Sequence, residues 1–179
     1  MVLLLTAITG LIYPLAMTGV ARALFPDQAG GSLIIDGGSV VGSRLLGRQF
    51  DDPRYFWSRP SATALFPYNT ASSSGSNYGP LNPELRKAQE ARRELLRNAD
   101  PGSNAGIPID LLTASASGLD PHISPAAAEY QAGRVARLRG IGISAVRALI
   151  RDNTSDRQWG FLGEPVVNVV SLNRALDGK

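Results

Sequence analysis

MVLLLTAITGLIYPLAMTGVARALF, residues 1–25, decides how the rest of the chain is read. From Met1 to Ala21 it carries no charged side chain. About 21 residues at a rise of about 1.5 Å make a rod of about 31 Å, the thickness of a bilayer's hydrocarbon layer. A helix satisfies its own backbone in lipid, so the stretch reads as one transmembrane helix. Two other descriptions compete. A cleaved signal peptide is imitated by Ala21-Arg22-Ala23, but it calls for a basic start and an apolar run of about 7–15 residues. A buried core helix is usually shorter and keeps a polar face. Within the run, Thr6, Gly10, Pro14 and Thr18 recur every fourth residue as a stripe of small or narrow side chains. Such stripes let helices approach closely in lipid, where there is no water to expel, so this one is expected to pack on a partner helix. Pro14 lacks an N–H and crowds the carbonyl of Gly10, which predicts a kink.

The remainder is ordinary water-soluble sequence. The 179 residues leave room for one domain of typical size after the helix. The balance of 18 basic against 15 acidic side chains is too even and too interspersed to point to nucleic acid. Cysteine is absent, so neither a disulfide nor a thiolate metal site can form, and His122 is the lone histidine. Arg22 is the basic residue next to the span; one such charge leaves the orientation in the membrane open.

Turn and cap chemistry places the elements. Asp36-Gly37-Gly38 between two apolar runs predicts a β-hairpin over residues 32–41. Residues 55–83, YFWSRPSATALFPYNTASSSGSNYGPLNP, carry prolines and a Ser/Gly/Asn cluster that no regular element can cross. The aromatic residues Tyr55, Phe56, Trp57, Phe66, Tyr68 and Tyr78 predict a loop that is ordered and packed. Asn82-Pro83-Glu84 opens a helix to about Asn98, with Leu85, Ala88, Leu95 and Leu96 expected on its inner side. Residues 107–113 (IPIDLLT) suit an edge strand. Ser124-Pro125 opens a helix to about Arg139, Ser144 caps another, and residues 166–170 form a strand before a last helical turn at 172–176. The expected fold is an α/β (or α+β) soluble domain, residues 26–179, tethered by one N-terminal transmembrane helix, residues 1–25.

No phosphate-binding loop of the GxxxxGK[ST] type and no GxGxxG after a strand are present. Ser115, Ser117, Asp120 and His122 contain the residue types of a hydrolytic triad. A triad normally draws its members from separate elements, and Asp120-Pro121-His122-Ile123-Ser124 reads more simply as a turn and a cap. Arg59 and Ser61 can brace the long loop, and arginine is also a frequent anchor at protein interfaces.

Six ordered motifs run through nearly the whole chain: GLIYPL (10–15), VGSRLLG (41–47), YFWSRPSA (55–62), SGSNYGPLNPEL (74–85), TASASGLDPHISPAAAEYQ (113–131) and the closing PVVNVVSLNRAL. On these the chain resembles the C subunit of the Kdp potassium-transporting ATPase. The resemblance implies a non-catalytic, single-pass subunit of the plasma membrane with its soluble domain on the extracytoplasmic side. The implied partners are a channel-like potassium-translocating subunit and a P-type ATPase subunit, with no nucleic acid involved. It implies no metal and no cofactor of its own. Members are also described as catalytic chaperones that raise the ATPase subunit's affinity for ATP, and a glutamine near the LLG motif has been linked to an ATP contact shared with that subunit; here Arg48 and Gln49 follow Gly47. Under the resemblance, Thr6, Gly10, Pro14 and Thr18 are candidates for helix packing. Arg59, Ser61, Asn77, Asp120 and His122 are candidates for the loop that meets a partner.

Overall fold

In the computed structural model, which describes residues 1–178, the chain forms two units, Met1–Leu45 and Leu46–Lys179. The first begins with unbroken helix from Val2 to Leu24, long and apolar enough to cross a membrane, with a mean hydropathy of 1.8 and no part of it buried. It consists of α1 (Val2–Ala7), a π-helical turn (Ile8–Ile12) and α2 (Tyr13–Leu24). The wide turn answers Pro14. The residue just before it, Tyr13, donates its N–H back to Ile8, five residues away, so the ladder changes register where the proline has nothing to donate. A short helix α3 (Pro26–Ala29) follows, and then the antiparallel hairpin β1 (Leu33–Asp36) and β2 (Ser39–Ser43). Gly37 and Gly38 both have positive φ, 56° and 81°, as the tightest hairpin turn requires. This unit is closed by an Arg44–Asp27 ion pair and by Ser43 Oγ donating to the Gly31 carbonyl at 2.7 Å.

The second unit holds α4 (Pro83–Ala99), β3 (His122–Ile123), α5 (Pro125–Arg139), α6 (Ile143–Asp152), β4 (Thr154–Ser155), β5 (Val166–Asn168) and α7 (Val169–Leu176). Its sheet has the order β3-β5-β4, and both pairings are antiparallel. Helices and strands are therefore mixed, as expected. The predicted caps form: the Asn82 side chain accepts from the Glu84 N–H at 2.9 Å, and Ser124 from the Ala127 N–H at 3.0 Å. The core joins Phe56, Leu96, Leu111, Ile123, Val135, Val146, Val167 and Leu172 around an alanine-rich face of α5. Small side chains on that face let neighbouring backbone come close.

Four local expectations are corrected. Residues 107–113 form no strand. Ile109–Leu111 is a 3-10 turn, entered through Pro108 and closed by Thr113 Oγ1 donating to the Ile109 carbonyl. α6 starts at Ile143 with Gly142 as its cap, not Ser144. The last strand ends at Asn168, whose side chain accepts from the Ser171 N–H and starts α7 directly. Finally, α4 does not bury Ala88 or Leu95. Leu85 and Leu96 do face inward, and Gln89, Arg92 and Ala99 share their stripe in place of Ala88 and Leu95.

Candidate functional site

In the first unit the candidate stripe stands wholly on the exposed surface of the helix: Thr6, Gly10, Pro14 and Thr18 are all solvent-facing, and a Cβ built at Gly10 would meet only Thr6, at 4.0 Å. Residues four apart on an α-helix drift by about 40° per step, because a turn takes about 3.6 residues. A π turn takes more residues per revolution, which removes part of that drift between Thr6 and Thr18.

In the second unit, residues 46–82 carry no helix or strand, yet side-chain hydrogen bonds hold the stretch from Ser58 to Ser74 at several points. Phe56 and Trp57 run extended through the core without a sheet neighbour. Gln131 of α5 accepts from the Trp57 N–H at 2.8 Å and donates to the Trp57 carbonyl at 3.1 Å. Asn173 of α7 does the same for Phe56, both at 2.9 Å. Two side-chain amides thus stand in for two neighbouring strands, because buried backbone groups must be paired. Arg134 donates to Gln131 Oε1 and to the Pro53 carbonyl and lies 4.7 Å from the Trp57 ring. Burial pushes its pKa down to about 10. Neither amide is evident from residue type alone. The legible signal is a glutamine set inside the Ala127, Ala128, Ala132, Val135 face of α5.

Beyond Trp57 the loop meets residues 113–124. Ser61 Oγ donates to the Gly118 carbonyl at 2.7 Å and accepts the Tyr68 N–H at 2.9 Å. Arg59 reaches the Ala114 carbonyl at 3.3 Å and Asp120 Oδ2 at 3.4 Å. The other oxygen, Asp120 Oδ1, accepts the His122 N–H at 3.0 Å and lies 3.3 Å from His122 Nδ1. Burial pushes the Asp120 carboxyl upward, but the two hydrogen bonds from His122 and the charges of His122 and Arg59 outweigh it and hold it below its ordinary value. Two glycines permit the close approach. At Gly47 a Cβ would sit 2.3 Å from the Tyr68 ring, and at Gly118 it would sit 2.6 Å from Thr63, where φ is also +68°.

The structure thus brings Arg59, Ser61, Asp120 and His122 into one brace between two loops. Asn77 is not drawn in: it is exposed, with a left-handed backbone (φ 52°), and no recorded hydrogen bond or ion pair joins it to the other four. Ser115 and Ser117 spend their hydroxyl oxygens on the backbone N–H groups of Gly118 and Leu119, at 3.0 and 3.1 Å. Among the described residues no hydrogen bond links a serine to His122, and no group of three or more His, Cys, Asp or Glu is placed to hold a metal ion. The aromatic residues divide: Phe56 and Trp57 are buried, whereas Phe66 and Tyr78 are exposed. As a unit, this arrangement can hold a preshaped loop surface.

A family profile described as "KdpC: K+-transporting ATPase, c chain" matches residues 1–178. The potassium-transporting ATPase KdpC subunit of Variovorax paradoxus (strain S110) is 63% identical over 174 residues, covering 97% of this chain and 90% of that protein. The KdpC subunit of Methylococcus capsulatus (strain ATCC 33009 / NCIMB 11132 / Bath) is 59% identical over 177 residues, 99% of this chain and 93% of its own length. That of Dechloromonas aromatica (strain RCB) is 59% identical over 174 residues, 97% and 91% respectively.

Proposed function

Since the chain belongs to the KdpC family, the c chain of the K+-transporting ATPase, we propose that it is a non-catalytic accessory subunit that assembles and steadies that pump. The helix over residues 1–25 packs through Thr6, Gly10, Pro14 and Thr18 against the channel-like potassium-translocating subunit. The domain, residues 26–179, lies on the extracytoplasmic side of the plasma membrane and covers that subunit's entrance, and it assists the ATP-hydrolysing subunit through the assembly. The observation that carries this reading is the helix itself, 23 residues with no part buried and with Thr6, Gly10, Pro14 and Thr18 all exposed along it. Such a surface is complete only against lipid and another helix.

Gly10→Leu places a large side chain in the middle of the stripe. Affinity purification from detergent-solubilised membranes should then recover about tenfold less of the pump's other subunits than wild type, which is roughly 1.4 kcal/mol. Recovery unchanged by Gly10→Leu sinks the packing contact, and isolation of the wild-type chain by itself sinks the assembly role. The competing reading, a cytoplasmic domain that contacts ATP directly, predicts the opposite labelling pattern. The native chain has no cysteine, and Asn104 is exposed. In Asn104→Cys a membrane-impermeant maleimide should label intact spheroplasts; labelling only after lysis supports the cytoplasmic alternative.

A further inference from the structure

A cavity of about 190 Å³ opens beside the brace, and its lining includes Asp51, Ser58, Arg59, Ser61, Tyr68 and Arg92. Most polar groups on its wall are already committed. Tyr68 donates to the Arg59 carbonyl at 2.8 Å, Ser58 to the Arg48 carbonyl at 3.0 Å, and Ser61 to Gly118. The guanidinium groups are committed only in part, Arg59 spending its two Nη atoms on Asp120 and the Ala114 carbonyl. Arg92 uses Nε on the Leu111 carbonyl and Nη2 on the Ser58 carbonyl, at 3.1 and 2.9 Å, and Nη1 has no acceptor among the described residues. No carboxylate lies within ion-pair distance of Arg92 among the described residues, although burial depresses its pKa. On Arg59, Nε is buried without a hydrogen-bond partner among the described residues. A guanidinium donor left without an acceptor in a partly buried site is costly, and an oxygen anion that accepts from it lowers that cost.

We propose that this cavity binds a single carboxylate group through Arg92 and Arg59. Its size excludes a whole nucleotide, because pockets for ligands of that size run to about 300–1,000 Å³. Its charge separates carboxylate from phosphate. Asp51 sits on the rim with both oxygens held by the Gln49 amide, at 2.8 and 2.9 Å, and its charge opposes a dianion more than a monoanion. The carboxylate comes either from an acidic side chain of a neighbouring subunit or from a free organic acid.

Trp57 supplies the reporter, since the Arg92 guanidinium lies 5.5 Å from its ring and the second tryptophan, Trp159, is exposed and replaceable. In the full chain carrying Trp159→Phe, held in detergent, sodium acetate titrated at constant ionic strength should change Trp57 emission saturably, and sodium phosphate should do so more weakly. Asp51→Asn, an exposed change, should tighten phosphate by at least about threefold and acetate less. Arg92→Met should abolish both responses. A flat acetate trace in the parent and in Asp51→Asn overturns the assignment, as does a response that survives Arg92→Met. Repeating the titration on the assembled complex separates the sources. An acetate response lost on assembly identifies a subunit's side chain, and one that persists identifies a free acid. Only this last arm rests on the pump reading; failure of the complex to form would test that reading and leave the titration of the single chain standing.

Discussion

The helix over Val2–Leu24 and the unit that begins at Leu46 are opposite solutions to one problem. On the helix the apolar side chains face outward, Leu3 84% and Leu15 71% exposed, and the backbone is satisfied by its own ladder. In the second unit Phe56 is fully buried, and Gln131 and Arg134, 1% and 2% exposed, are buried with it. An apolar surface is stable where the surroundings are lipid, and a polar side chain is stable inside where it completes an unpaired backbone. Burial by itself therefore says little about polarity here; what matters is which groups would otherwise lack a partner.

The contrast can be broken most forcefully at Phe56. Phe56→Ala should cost about 4 kcal/mol in the second unit, from lost transfer energy and the cavity left behind. Leu15→Ala should leave the melting of that unit unchanged; both are read from Trp57 fluorescence during thermal unfolding in detergent. Gln131→Leu keeps the volume but leaves the Trp57 N–H and carbonyl unpaired, and should cost about 3 kcal/mol in the same assay. If it proves neutral, the amides are not what holds the extended segment. Gly118→Ala should cost about 2 kcal/mol, because the side chain meets Thr63 and the left-handed backbone at once.

The smallest effect is electrostatic. The folded-state pKa of Asp120 lies below its unfolded value, so its stabilising contribution is fully present above the ordinary carboxylate range near pH 3.9 and is lost as pH falls below it. The stability difference between wild type and Asp120→Asn should shrink as pH falls through and below the ordinary carboxylate range. A difference that keeps its full size well below the carboxylate range contradicts the brace.

Much of this was legible in the chain. The Asn82-Pro83 and Ser124-Pro125 starts and the Asp-Gly-Gly hairpin act over three or four residues, so their physics is local and readable. The apolar run of 107–113 misled because strand propensity needs a neighbouring strand, and here Pro108 leads into a 3-10 turn instead. Leu95 and Ala88 misled because α4 turns Arg92 and Gln89 inward, where Arg92 meets carbonyls of Ser58 and Leu111. Of the loop residues, Arg59, Ser61, Asp120 and His122 converge, and Asn77 does not. Arg59 and Ser61 reach carbonyls across the two loops, and Asp120 ties His122 to Arg59, pairings that spacing cannot disclose.

Residue order alone determined the membrane-length helix, the proline that disturbs it and the caps that open α4 and α5, since each depends on atoms within a turn or two of chain. Only the tertiary structure decided that Trp57 and Phe56 would be held by amides 74 and 117 residues away, and that Arg92 and Arg59 would line one cavity. Those outcomes belong to pairs of distant segments. A buried hydrogen bond is worth most where its alternative is an unpaired group, and which groups are left unpaired is settled only once the chain has packed.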